Sequence, residues 1–166
     1  MIALQIKENK TFMSRLLATE VFDCFLLEET TITTFNTFFI DGRRVNEFYN
    51  SEELDNVELI PEFSPWSVMR PICFDLIKGK KAPVNFKFVF HLSPDSLAAI
   101  TSMPDCSVDI GDVKALVLTV KFDGSIITCI SATSFHSFVL DKSLDLLWDI
   151  WIKRFFSDSL IAFDQM

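Results

Sequence analysis

The clearest hydrophobic pattern in the chain lies near its C-terminus. Leu144, Leu147, Trp148, Trp151, Ile152 and Phe155 recur at steps of three and four, which puts them on one face of a helix over Asp141 to Phe156. Asp149 and Lys153 stand four apart on the outer side, the spacing of a favourable ion pair. Leu146, Ile150 and Phe156 fall outside the stripe, so this helix is expected to be either deeply packed or covered by another chain. Phe12, Met13, Leu16 and Leu17 predict a second helix, from an Asn9 cap to about Ala18. Trp66, Met69, Cys73, Leu76 and Ile77 form a third face, opened by Ser64 as cap with Pro65 at the first helical position, kinked at Pro71 and closed by Gly79. Ser93-Pro94-Asp95 opens a short fourth helix carrying Leu97 and Ile100, which Pro104 ends.

Elsewhere the period is two. Ile2 to Ile6 reads as a strand, and after the apolar run Val21 to Leu27 the Thr, Ile and Phe of Thr30 to Ile40 favour another. Asp41-Gly42 predicts a hairpin with Arg43 to Tyr49 returning, and the acidic stretch Asn50 to Asn56 reads as a loop. Val84 to Leu92 alternates Phe86, Phe88 and Phe90 with other residues. Val113 to Phe122 and Ser125 to Ala132 predict a hairpin around Asp123-Gly124, with Phe135 to Leu140 as a further strand. The expected fold is a single α+β domain over residues 1–166, mainly an antiparallel sheet with three to four helices. The order strand, helix, three strands, helix occurs twice, which suggests a pseudo-duplicated βαβββ arrangement with halves 1–80 and 81–166. No linker composition separates them, so they would share one core.

Composition narrows the class. With 166 residues, 49% of them hydrophobic and 23% charged, the chain buries enough apolar surface to exclude intrinsic disorder. Eighteen Phe against one Tyr and three Trp is a core-building composition, since Phe needs no hydrogen-bond partner when buried. The net charge of −8 disfavours nonspecific attraction to nucleic acid or anionic membrane. The charge is uneven, however. Asn46 to Glu62 holds six acids and no base, whereas Pro65 to Lys87 holds five bases and one acid, net +4 against −12 in the remainder. Arg70, Lys78, Lys80 and Lys81 in that basic island are the candidate anion- or nucleic-acid-binding residues. Lysines at a helix C-terminus also suit the helix dipole with no ligand at all. Single-strand recognition would need interleaved aromatics, and helical spacing assigns Trp66 to the core.

Catalytic and metal chemistry finds little support. Cys24, Cys73, Cys106 and Cys129 are widely spaced among apolar neighbours, which points to buried reduced thiols and no metal site. His91 and His136 have no Cys, Asp or Glu at ligand or dyad spacing, and Ser134 and His136 would share only a strand face. Four glycines without a phosphate-loop pattern argue against a nucleotide cofactor, and the adjacent pairs Glu28-Glu29 and Glu52-Glu53 suit a solvated surface better than acid–base work. No catalytic residue, metal or cofactor is assigned. No apolar run approaches the ~18 residues of a membrane span, and Met1 to Lys10 lacks a signal pattern, so no membrane is involved and the cytoplasm is the expected compartment.

Three segments carry a resemblance: Thr31 to Phe38 running through Asp41-Gly42-Arg43, Pro65-Trp66, and Leu140-Asp141-Lys142-Ser143-Leu144 leading into Trp148-Asp149. Together they resemble an uncharacterised domain-of-unknown-function family of Clostridia-type bacteria over the whole chain, a resemblance that implies no activity or binding residue. The element order is also similar to DNA sliding-clamp domains, with Ile2 to Tyr49 as one unit and Val57 to Ala132 as a second containing Ser93 to Ser102 as an insertion. The C-terminal helix departs from that pattern, and no clamp motif is present. The leading expectation is a non-catalytic protein-interaction or scaffold module, with another protein or a second copy as partner. The alternative is a clamp-like nucleic-acid-associated module using residues 70–87, and the third an enzyme whose site would bring His91, His136 or a Cys together with carboxylates.

Overall fold

Alternation along the strands builds an antiparallel sheet, eight-stranded among the residues described by the computed structural model, 1–54 and 61–166. The strands are β1 (Ala3–Ile6), β2 (Phe25–Thr33), β3 (Thr37–Asp41), β4 (Ser64–Pro65), β5 (Asn85–Leu92), β6 (Val113–Phe122), β7 (Ile127–Phe135) and β8 (Phe163–Gln165). Their order is β3-β2-β5-β6-β7-β1-β8, with β4 also paired to β2. The helices are α1 (Asn9–Ala18), α2 (Ser51–Leu54), α3 (Trp66–Ile77), α4 (Pro94–Thr101) and α5 (Ser143–Asp158), five among the described residues against the three to four expected. The α+β class is as expected. The halves 1–80 and 81–166 mix within one sheet, because β1 lies between β7 and β8.

One sheet face is apolar because Phe88 and Phe90 of β5 pair with Val120 and Leu118 of β6, all buried on the same side. Trp66 of α3 sets its ring edge-on to Phe88 and Phe90 at 5.5 and 5.0 Å, and its indole N–H donates to the Leu16 carbonyl of α1 at 3.0 Å. From α5, Phe155 and Phe156 join Phe12, Phe22 and Phe25 in a cluster of mostly edge-on rings. The other face carries half-exposed residues such as Thr31, His91, Val117, Thr119 and Thr128.

Several local expectations are corrected. Asn9 is the first residue of α1 and its side chain donates to the Ser125 carbonyl; the cap is Glu8, whose carboxylate accepts from the Thr11 hydroxyl. The β2–β3 hairpin turns at Thr34 to Asn36, so Asp41-Gly42 is not its turn and Arg43 to Tyr49 is not a return strand. The chain instead leaves the sheet edge at Gly42 and rejoins it at β4, which pairs with Leu26 and Leu27 where β3 stops at Glu29. In the predicted loop Asn50 to Asn56, Ser51–Leu54 is helical, and Asp55 and Asn56 lie outside the described residues. Asn50 and Glu53 there exchange side-chain bonds with each other's backbone N–H, a capping box. Ser64 belongs to β4 and Pro65 caps α3, which continues as a single helix past Pro71. The β6–β7 turn spans four residues, Asp123 to Ile126, so β7 starts at Ile127, two residues after the predicted Ser125. It then runs on to Phe135, leaving no separate strand over Phe135 to Leu140.

In α5 the buried residues are Leu144, Trp148, Ile152 and Phe156, so Phe156 belongs to the core while Trp151 is half-buried. Asp149 does not pair with Lys153. It accepts from the Ser131 hydroxyl at 2.5 Å and from the N-terminal amine at 3.0 Å, and Asp145 accepts from the Thr133 hydroxyl. Two carboxylates one helical turn apart thus meet two β7 hydroxyls that break the apolar face of the sheet. No helix among the described residues is long and apolar enough to cross a membrane.

Candidate functional site

The four basic residues singled out by charge do not form one patch. Arg70 grips Asp23 through two hydrogen bonds of 3.2 and 2.9 Å and is half-buried, tying α3 to the segment before β2. Lys78 lies 2.9 Å from the Asp75 carboxylate and 6.0 Å from the Phe74 ring centre. Lys80 and Lys81 are exposed and make no ion pair among the described residues. They sit in the turn after α3, which Gly79 reverses with φ of +149°.

Behind this turn lies an open groove of about 520 Å³ between α1 and the α3–β5 connection. Met13, Leu17, Phe74, Ile77, Phe86 and Phe122 make an apolar floor, and Lys10, Lys78 and Lys81 stand at its rim. Lys80 lines a neighbouring cavity with Thr34 and Phe35, and Arg70 lines neither. Of the basic island, therefore, only Lys78 and Lys81 reach the groove. Lys10, Met13 and Leu17 of α1 complete it. Sequence reading takes that stripe as core, and only the packing of α1 on α3 shows that its edge stays open.

A second concavity, of about 350 Å³, lies at the far end of β5. The β2–β5 register slips between Leu27 and Glu29, so Glu28 is an extra residue and its side chain meets His91, whose Nε2 is bonded to the Glu28 carboxylate. Phe63 stands edge-on to the His91 ring at 4.8 Å, and Arg43, bonded to Glu62, lies 5.3 Å over the Phe63 ring. Lys114 and Ser134 also line this cavity. A carboxylate on one imidazole nitrogen fixes the ring's orientation and suits it to take up or release a proton. Sequence spacing missed the pair because its partners come from neighbouring strands, although the tandem Glu28-Glu29 directly after the apolar Phe25-Leu26-Leu27 is the trace such a bulge leaves. His136 is exposed, beyond the end of β7, and does not share a strand face with Ser134.

The four cysteines are unpaired, Cys73 and Cys129 buried and Cys24 and Cys106 half-buried. Burial pushes the Cys73 thiol up to about 12. Cys24 is likewise pushed up to about 12 by burial, with a smaller contribution from Asp23 and an opposing one from its own backbone hydrogen bond. Among the described residues no three His, Cys, Asp or Glu side chains converge as a metal site would require.

No curated protein and no solved structure matches the chain. One family model does, over residues 15–164, from α1 into β8. The chain belongs to that family, a family of unknown function (DUF5721).

Proposed function

We propose that the protein is a non-catalytic interaction module whose α1–α3 groove takes an acidic, amphipathic segment of a partner protein. The observation that carries this reading is an apolar floor bordered by Lys10, Lys78 and Lys81 on a chain of net charge −8. Apolar side chains of a helix or turn would fill the floor while carboxylates on its flanks meet the lysines, the logic of helix-in-groove recognition. Nucleic acid fits less well. Arg70 is committed to Asp23 and Lys80 lines a neighbouring cavity, so the basic island offers no continuous row of cations for a phosphate backbone. The unpaired, partly or fully buried cysteines support a reducing compartment such as the cytoplasm.

The test is fluorescence anisotropy with a labelled amphipathic helix of Leu and Glu, against a Leu/Lys helix and single-stranded DNA as controls. The acidic peptide is expected to bind, and the combined change Lys78→Glu and Lys81→Glu to weaken it about tenfold, roughly 1.4 kcal/mol. Binding of DNA in preference to the acidic peptide would overturn the reading in favour of the clamp-like alternative. The His91–Glu28 cavity favours a second reading, an acid–base enzyme. On that reading His91→Gln should abolish a turnover that the groove variant retains.

A further inference from the structure

The two ends of the sheet are built differently. β8 is three residues long with Asp164 and Gln165 exposed, the short, polar edge that discourages further pairing. β3 is five residues of sequence Thr-Phe-Phe-Ile-Asp, with no Pro, no Lys and no bulge against β2. Phe39 on it is 63% exposed and Phe35 at the hairpin tip 85%.

Hydrogen bonding at the two ends of the β2–β3 ladder decides which backbone groups face outward. Gly42 donates to the Glu28 carbonyl at 2.8 Å and Thr34 to the Asn36 carbonyl at 2.9 Å. In an antiparallel ladder the residues bonded to the partner alternate, so Phe38 and Ile40 bond to β2. The N–H and C=O groups of Thr37, Phe39 and Asp41 therefore point away from the sheet, and among the described residues they have no backbone partner.

We infer that β3 is a self-pairing edge, along which two copies of the chain join antiparallel about a two-fold axis at Phe39. In that register Phe39 faces its own copy, both exchanging N–H and C=O bonds, and Thr37 faces Asp41 on either side. Phe38 meets Ile40 on the helix-covered face, continuing the apolar layer. No like charges are opposed, and every outward backbone group of the strand gains a partner. A copy joined through β8 instead would have only three residues to offer. The interface is isologous and small, so the dimer forms reversibly with concentration.

Sedimentation of the full chain across a concentration series tests this, with circular dichroism to confirm folding. The wild type is expected to pass from 19.0 kDa monomer to dimer. Phe39→Lys and Phe39→Glu should each be folded and monomeric, since each sets like charges face to face across the axis. Mixed together they should form a dimer again, because the two-fold register places the opposite charges in contact. Gln165→Lys on β8 should leave the dimer intact, and Thr37→Glu, which sets a second carboxylate against Asp41 of the other copy, should weaken it about tenfold. Amide exchange of residues 37–41 should slow as protein concentration rises. A wild type that stays monomeric, a dimer untouched by either Phe39 variant, or a mixture that fails to reassociate would each overturn the proposal.

Discussion

Gly42 shows how a single residue fixes a chain path. A Cβ there would come 1.8 Å from the Leu27 carbonyl oxygen, because the chain crosses the β2 edge at this point on its way out of the sheet. Asp41-Gly42 is legible in sequence as a place where the backbone does something unusual. What it does, a departure from the edge and not a hairpin, depends on β4 returning from more than twenty residues downstream. Gly42→Ala is expected to destabilise the protein by about 3 kcal/mol, the upper end for forcing atoms into a packed site. At exposed Gly79, where nothing lies within 4 Å and only a positive φ is strained, Gly79→Ala should cost about 1 kcal/mol. Urea titrations of both variants check the contrast. The buried thiols give a second prediction at this scale. Above about pH 9 the unfolded chain releases thiol protons that the folded chain keeps until about pH 12, so stability falls as pH rises through that window. Each such thiol adds a slope of about 1.4 kcal/mol per pH unit. Cys73→Ala should flatten the stability profile by that amount over the same window and leave the slope below pH 8 unchanged.

Among the elements, α5 was the most legible and also the most instructive in its errors. Its three-and-four spacing placed Trp148 in the core, where it is fully buried and donates its indole N–H to the Val117 carbonyl at 3.2 Å. The same spacing assigned Asp149 to the solvent side. Strand alternation in β7 explains the difference: Ser131 and Thr133 interrupt its inward face, and polar groups buried there need partners, which α5 supplies through Asp149 and Asp145. Trp148→Ala should cost about 3–5 kcal/mol. Trp151→Ala should cost less, its ring being stacked on Trp148 and Phe155 at 5.2 and 5.1 Å but half-exposed. Asp149→Ala should cost about 1–3 kcal/mol because the O–H of the buried Ser131, whose oxygen still accepts from the Ile2 N–H, loses its acceptor, more than a surface ion pair would cost. Thermal unfolding of the three variants ranks them.

At the scale of the whole molecule, hydrophobic period and Phe enrichment were enough to read an antiparallel α+β domain with four of its five described helices in the right order, the short α2 being read as a loop. The lysines of the α3–β5 turn were likewise visible as charge. What charge alone could not separate was Arg70, spent on Asp23, from Lys81, exposed at the groove. Nor could spacing along the chain bring Lys10 to the same rim, or Glu28 to His91, since both meetings depend on which strands and helices become neighbours. The open groove between α1 and α3 is where the functional proposal rests, and five methionines report on it. Met13 lines the groove, whereas Met1, Met69, Met103 and Met166 do not. The decisive measurement is a methyl NMR titration of methionine-labelled protein with the acidic Leu/Glu helix. A saturable shift of the Met13 methyl, with the other four resonances unmoved, is the predicted result. Binding that shifts the others and leaves Met13 in place, or a Met13 resonance unmoved at saturating peptide, would contradict the assignment of the groove as the partner site.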